Sequence, residues 1–82
     1  MLDQARQNER RNVELLFRGA EINALLGNYT AALDNVSLVL AKEPGNKRGL
    51  EDAARYAEAL GRLEEAANHL RTLSRYSSAQ SV

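Results

Sequence analysis

Few stretches of this sequence hold residues that could do chemistry. Glu64 and Glu65 form a carboxylate pair of the kind used for acid–base work. They also open a helical stretch, where the helix dipole favours negative charge, and that is how they are read. His69 is the only histidine. A metal site there needs companions at helical spacing, and Glu65 and Arg71 do not supply one. "EPGNKRG", residues 43–49, superficially suggests a phosphate-binding loop. It lacks the spacing of a nucleotide loop and any preceding strand, so it is read as a turn. Asn28-Tyr29-Thr30 and Asn35-Val36-Ser37 match the glycosylation acceptor pattern. The second falls inside an expected helix, and both are treated as accidental. With no cysteine, thiol catalysis and thiolate metal sites are excluded. The expectation is a chain that is not an enzyme, with no metal and no cofactor.

The elements that hold these residues are helical. Apolar residues recur at three- and four-residue steps. Leu15, Leu16, Gly19, Ile22 and Leu26 form one stripe, and Leu33, Val36, Val39 and Leu40 a second. Leu50, Ala53, Ala54, Ala57 and Leu60 form a third, and Leu63, Ala66, Leu70 and Leu73 a fourth. Gly27 and Gly61 stand where a glycine closes a last helical turn. Pro44 ends the second helix. Asn28 or Thr30 is a candidate cap for the second helix, and Asn46 for the third. Four helices follow, near 4–26, 30–43, 47–60 and 63–76. The fold class is all-α.

The chain also repeats itself. "LLGNYTAALDNV" at 25–36 returns as "ALGRLEEAANHL" at 59–70, a spacing of 34. Leu16 aligns with Leu50, Ala20 with Ala54, Leu26 with Leu60, Gly27 with Gly61 and Ala32 with Ala66. Similar residues pair at Gly19 and Ala53, Ile22 and Tyr56, Tyr29 and Leu63, Val36 and Leu70, and Val39 and Leu73. Period and residue types together resemble the tetratricopeptide repeat, a 34-residue helix–turn–helix unit. The resemblance rests on Ala20, Gly27, Tyr29, Ala32 and Pro44, and on Ala54, Gly61, Leu63 and Ala66. It departs from the family where Leu16 and Leu50 replace an early aromatic, and no proline follows the second copy. It covers residues 13–76 and implies antiparallel helix-turn-helix hairpins stacked as a short α-solenoid.

The organisation that follows is an extension of the first helix over 1–12, one repeat over 13–46, an incomplete second over 47–76, and a frayed tail over 77–82. A three-helix bundle, like the microtubule-interacting and transport domains, would use a similar "GNYTAAL" turn. It would not need the second turn at Gly61.

The resemblance implies a protein-binding scaffold. Its concave wall would hold Glu14, Phe17, Arg18, Glu21, Ala24 and Leu25, then Arg48, Glu51, Asp52, Arg55, Glu58 and Ala59. Chaperone-binding members of the family clamp a terminal carboxylate with lysine and asparagine. The matching positions here hold Phe17, Glu21 and Asp52. The implied ligand is therefore a basic or mixed-charge peptide with an apolar anchor at Phe17 and Leu25. The plainer reading is a solvated face with intrahelical pairs such as Glu51 with Arg55. A terminal hairpin without a capping helix leaves an apolar edge. Tyr56, Leu60, Leu63, Leu70, Leu73 and Tyr76 form that edge, a site for self-association. The long first helix, with Leu2, Ala5 and Val13, is another candidate to cover it. A homo-oligomer or a longer repeat array is expected.

Charge excludes other partners. The 11 basic and 11 acidic residues balance, and Glu9, Glu14 and Asp3 dilute the Arg6, Arg10 and Arg11 cluster, so no nucleic acid is expected. No apolar run approaches the ~20 residues that span a bilayer, and "MLDQARQNERRN" lacks a signal-type apolar segment. The expected place is the cytoplasm, or the periplasm within a larger exported protein. The other functional reading is a non-catalytic helical accessory domain of a larger enzyme or secretion machine.

Overall fold

In a computed structural model the backbone is described for residues 2–80 and the side chains for residues 10–76. Four helices follow one another: α1 Leu2–Leu25, α2 Tyr29–Lys42, α3 Lys47–Ala59 and α4 Leu63–Gln80. No strand occurs among the described residues. Four helices rather than three set aside the three-helix bundle. Helix α4 runs four residues past the expected end at Tyr76, so helix replaces the first part of the expected frayed tail. Residues 81–82 and the side chains of Leu2 and Ala5 lie outside the described residues.

The two turns match bond for bond. Gly27 and Gly61 take φ +82° and +78°, a left-handed conformation open to glycine and costly for residues with a Cβ. The Gly27 N–H donates to the Ala24 carbonyl, and the Asn28 N–H donates to that of Asn23. The Gly61 N–H donates to Glu58, and the Arg62 N–H to Ala57, the same bonds 34 residues on. This paired closure satisfies carbonyls that a helix end would leave orphaned. The chain then reverses into α2 or α4. Asn46 caps α3 as its type suggests, accepting from the Gly49 N–H at 2.9 Å. Asn28 precedes α2 without a side-chain cap bond. The turn closure brings its backbone into place, and its carbonyl accepts from the Ala32 N–H.

Adjacent helices pack pairwise: α1 on α2, α2 on α3 and α3 on α4. The thinnest dimension is 15 Å. Packed helix axes lie about 8–10 Å apart, so the molecule is two helices deep. Ala20, Ala32, Leu33, Val36, Ala53 and Tyr56 form the main core, with Ala24, Tyr29, Leu40 and Leu60 packed around it. A smaller cluster of Ala54, Ala57 and Ala66 joins α3 to α4. Alanine at these contacts lets the helices approach closely.

Burial on α1 departs from expectation. Phe17 and Ala20 are the buried residues, whereas Leu15, Ile22 and Leu26 stay 63%, 58% and 70% exposed. Periodicity identified an apolar stripe correctly as a face of α1. The helix turns the Phe17 and Ala20 face inward; of the stripe only Leu16 and Gly19 are partly covered, Gly19 by Asn35 of α2, while Leu15, Ile22 and Leu26 lie open.

Candidate binding cleft between the first and third helices

An open cleft of about 470 Å³ lies between α1 and α3. Glu21, Ala24 and Leu25 line it from α1, and Arg55, Tyr56 and Ala59 from α3. Tyr29, at the start of α2, completes the lining. The Tyr29 and Tyr56 rings lean together, centroids 6.3 Å apart and tilted by 39°. The walls are thus apolar at Ala24, Leu25, Ala59 and the two rings, and charged at Glu21 and Arg55.

A charge network sets the electrostatics. Arg48, in the first turn of α3, donates from Nη2 to Glu21 Oε1 at 2.7 Å. Its guanidinium lies 4.3 Å over the Phe17 ring centroid. Its Nε is 3.8 Å from Asp52 Oδ2, one turn further along α3. Arg48 therefore engages both Glu21 and Asp52. Burial pushes the Asp52 carboxyl above its ordinary value, against the pull of Arg55 and Arg48. Burial also raises the Tyr56 phenol, helped by the nearby Asp52 charge. Among the described residues no carboxylate lies within 4 Å of the Arg55 guanidinium. The expected Glu51–Arg55 pair does not form, and Arg55 offers its charge to the open cleft.

Of the expected wall, Glu21, Ala24, Leu25, Arg55 and Ala59 line the cleft. Arg48 and Asp52 belong to the network beside it, while Arg18 is exposed and outside the lining. Phe17 requires correction as an apolar anchor: it is buried, beneath Arg48. Tyr56 requires correction as an edge residue, because it is buried in the core between the hairpins. The role of Tyr29 and Tyr56 as cleft walls went unseen in the sequence, where Tyr29 stood only as a repeat position and Tyr56 as an edge residue. Tyr56 belongs to the core and Tyr29 packs against it, and both also line the cleft.

At the far edge, Leu63 and Leu70 are 69% and 46% exposed, as an uncovered edge requires. Leu73 is half-buried. Tyr76 is partly exposed, and its ring crowds the backbone of Gly45, where an added Cβ would stand 2.7 Å away. The 43–49 stretch is a turn and helix start, with Asn46 also donating to Glu43 Oε2 at 3.2 Å. Glu65 sits 3.7 Å from Arg62 and 3.8 Å from His69 Nε2, away from the cleft lining.

No family model matches the chain, and no match is found among curated proteins or solved structures. The class stands on geometry: an all-α chain of packed helical hairpins. No helix among the described residues is long and apolar enough to cross a membrane.

Proposed function

We propose that this chain is a protein–protein interaction scaffold of tetratricopeptide-like hairpins that holds a peptide segment in the α1–α3 cleft. The observation carrying this reading is the cleft itself, apolar-walled, with Arg55 as its unengaged charge. The hairpin turns repeated at 34 residues support the repeat assignment.

The ligand chemistry follows from the lining. Leu25, Tyr29 and Ala59 accept an apolar side chain. Arg55 pairs with a carboxylate, and because Arg48 already occupies Glu21, the acidic wall repels such a group less than its formal charge suggests. The segment is of mixed charge, with an apolar residue beside an acidic one.

The test is a fluorescent peptide panel carrying apolar–acidic, apolar–basic and scrambled cores, read by anisotropy. Apolar–acidic members bind best, and Leu25→Glu or Arg55→Glu weakens them about tenfold or more. Equal, weak binding of all three classes would remove the cleft from consideration.

A further inference from the structure

The residues left bare at the two ends of the molecule are the two halves of a junction that it already contains. Inside the chain, the second hairpin docks on the first through Gly49, Ala53, Tyr56 and Leu60. Subtracting 34 gives Leu15, Gly19, Ile22 and Leu26, an α1 face on which Leu15, Ile22 and Leu26 are exposed and Gly19 is partly covered by Asn35 of α2. The receiving surface on the first hairpin includes Tyr29, Leu33, Val36 and Leu40. Adding 34 gives Leu63, Ala67, Leu70 and Ser74, the outer face of α4, where Leu63 and Leu70 are exposed.

We propose that copies of this chain stack head to tail, the α1 face of one seated on the α4 face of the next and repeating the internal junction. The proposal rests on the hairpin repeat and shares only Arg55 with the cleft.

Position by position, the contacts survive the shift with partners exchanged. Internally, Arg48 bonds Glu21 at 2.7 Å. Between copies those positions hold Glu14 of the second copy and Arg55, again opposite charges with the signs reversed. Internally, Leu40 packs on Gly49, where an added Cβ would stand 3.0 Å from it. Between copies, Leu15 of the second copy meets Ser74, so the large and small partners trade sides. The Tyr29–Tyr56 contact becomes Leu63 with Ile22 of the second copy, apolar in both cases. Ala53 becomes Gly19, small in both. Only the stacking of Arg48 on Phe17 lacks a counterpart, since Glu14 and Glu51 stand there. The junction between copies is therefore weaker than the internal one, and the stack is reversible. Such a heterologous contact does not close on itself unless its rotation makes a ring.

The experiment is sedimentation across concentration. The mass of the unaltered chain rises from 9.1 kDa through successive multiples. Ile22→Lys blocks one face and Leu70→Lys the other, and each variant alone stays a single chain. Mixed in equal amounts they form a two-chain species and stop, because each supplies the face that the other lacks. Both positions are exposed, and unchanged helicity by circular dichroism confirms folding. As a second readout, Glu14→Arg weakens stacking up to about fivefold, and adding Arg55→Glu to the same chain restores it. A single-chain mass at every concentration overturns the proposal. So does either lysine variant pairing with itself, which would indicate a face-to-same-face dimer. Ile22 and Leu70 do not line the cleft, so the monomeric variants still report peptide binding. Loss of stacking and loss of the cleft function are thereby separable.

Discussion

Arg48 of α3 reaches Glu21 of α1 across 2.7 Å, a side-chain hydrogen bond that bridges the two hairpins. The same guanidinium covers Phe17. One side chain thus fastens the first turn of the second hairpin to the first helix of the chain. It also shields the ring from water and uses up the acidic charge on that wall of the cleft.

Removing that clasp by Arg48→Ala costs about 1–2 kcal/mol, combining an exposed ion pair with a cation–π contact. Arg62→Ala is the control. Its pair with Glu65 is local and longer, at 3.7 Å, and its loss costs at most about 0.5 kcal/mol. Urea unfolding of both variants measures the difference. Equal losses would mean that the bridge between hairpins adds nothing to an ordinary surface charge.

The helices and their turns were legible because their causes are local. A glycine at a helix end, a proline and a capping asparagine act within a few residues, so Gly27, Gly61, Pro44 and Asn46 could be read directly. The face that α1 buries was not legible. Leu15, Ile22 and Leu26 make as good a stripe as Phe17 and Ala20, and only the position of α2 decides between them. The fate of Phe17 and Glu21 was hidden for a related reason. Their shared partner, Arg48, stands far along the chain, and an ion pair carries no sequence periodicity. The expected Glu51–Arg55 pair shows the converse, since correct i,i+4 spacing permits a contact without compelling it. Five of the seven residues that line the cleft came from repeat positions rather than from any chemical signal. Tyr29 and Tyr56 escaped because packing residues and wall residues share the same composition.

Gly27→Ala and Gly61→Ala isolate the conformational part of the turns. No atom lies within 4 Å of a Cβ added at either site, so crowding contributes nothing. The positive φ alone makes each substitution cost about 1–2 kcal/mol. The two losses agree, because the two turns share one bond pattern. Asparagine, which tolerates this conformation better, recovers part of each loss. Thermal or urea unfolding reads all four variants, and a marked loss at one glycine only would show that the turns are not equivalent.

The close contact between hairpins is tested by size. Ala53 is fully buried against the first hairpin. Ala53→Leu overpacks that contact and costs about 1–3 kcal/mol. Ala59→Leu adds the same atoms at an exposed position on the same helix and changes stability by about 0.5 kcal/mol or less. Chemical unfolding of the pair separates crowding at the buried site from the general effect of placing a leucine on this helix. A tolerated Ala53→Leu would show that the hairpins can part without cost.

Asp52 gives the molecule a specific pH dependence. Its folded-state pKa lies above the ordinary 3.8, because burial outweighs the attraction of Arg55 and Arg48. Between 3.8 and the raised value the folded chain holds a proton there that the unfolded chain has released. Stability from this group is therefore fullest below 3.8 and falls as pH rises through the folded pKa, then levels off. Asp52→Asn keeps the shape and removes the titration. Relative to the unaltered chain, the variant gains stability as pH is raised from about 3 to about 7. Urea unfolding at intervals across that range gives the difference curve, in which the remaining carboxylates cancel. A variant that instead loses ground toward neutral pH would mean that the 3.8 Å contact with Arg48 outweighs the burial of the charge. The clasp at the hairpin boundary would then depend on an ionised Asp52 as well as on Glu21.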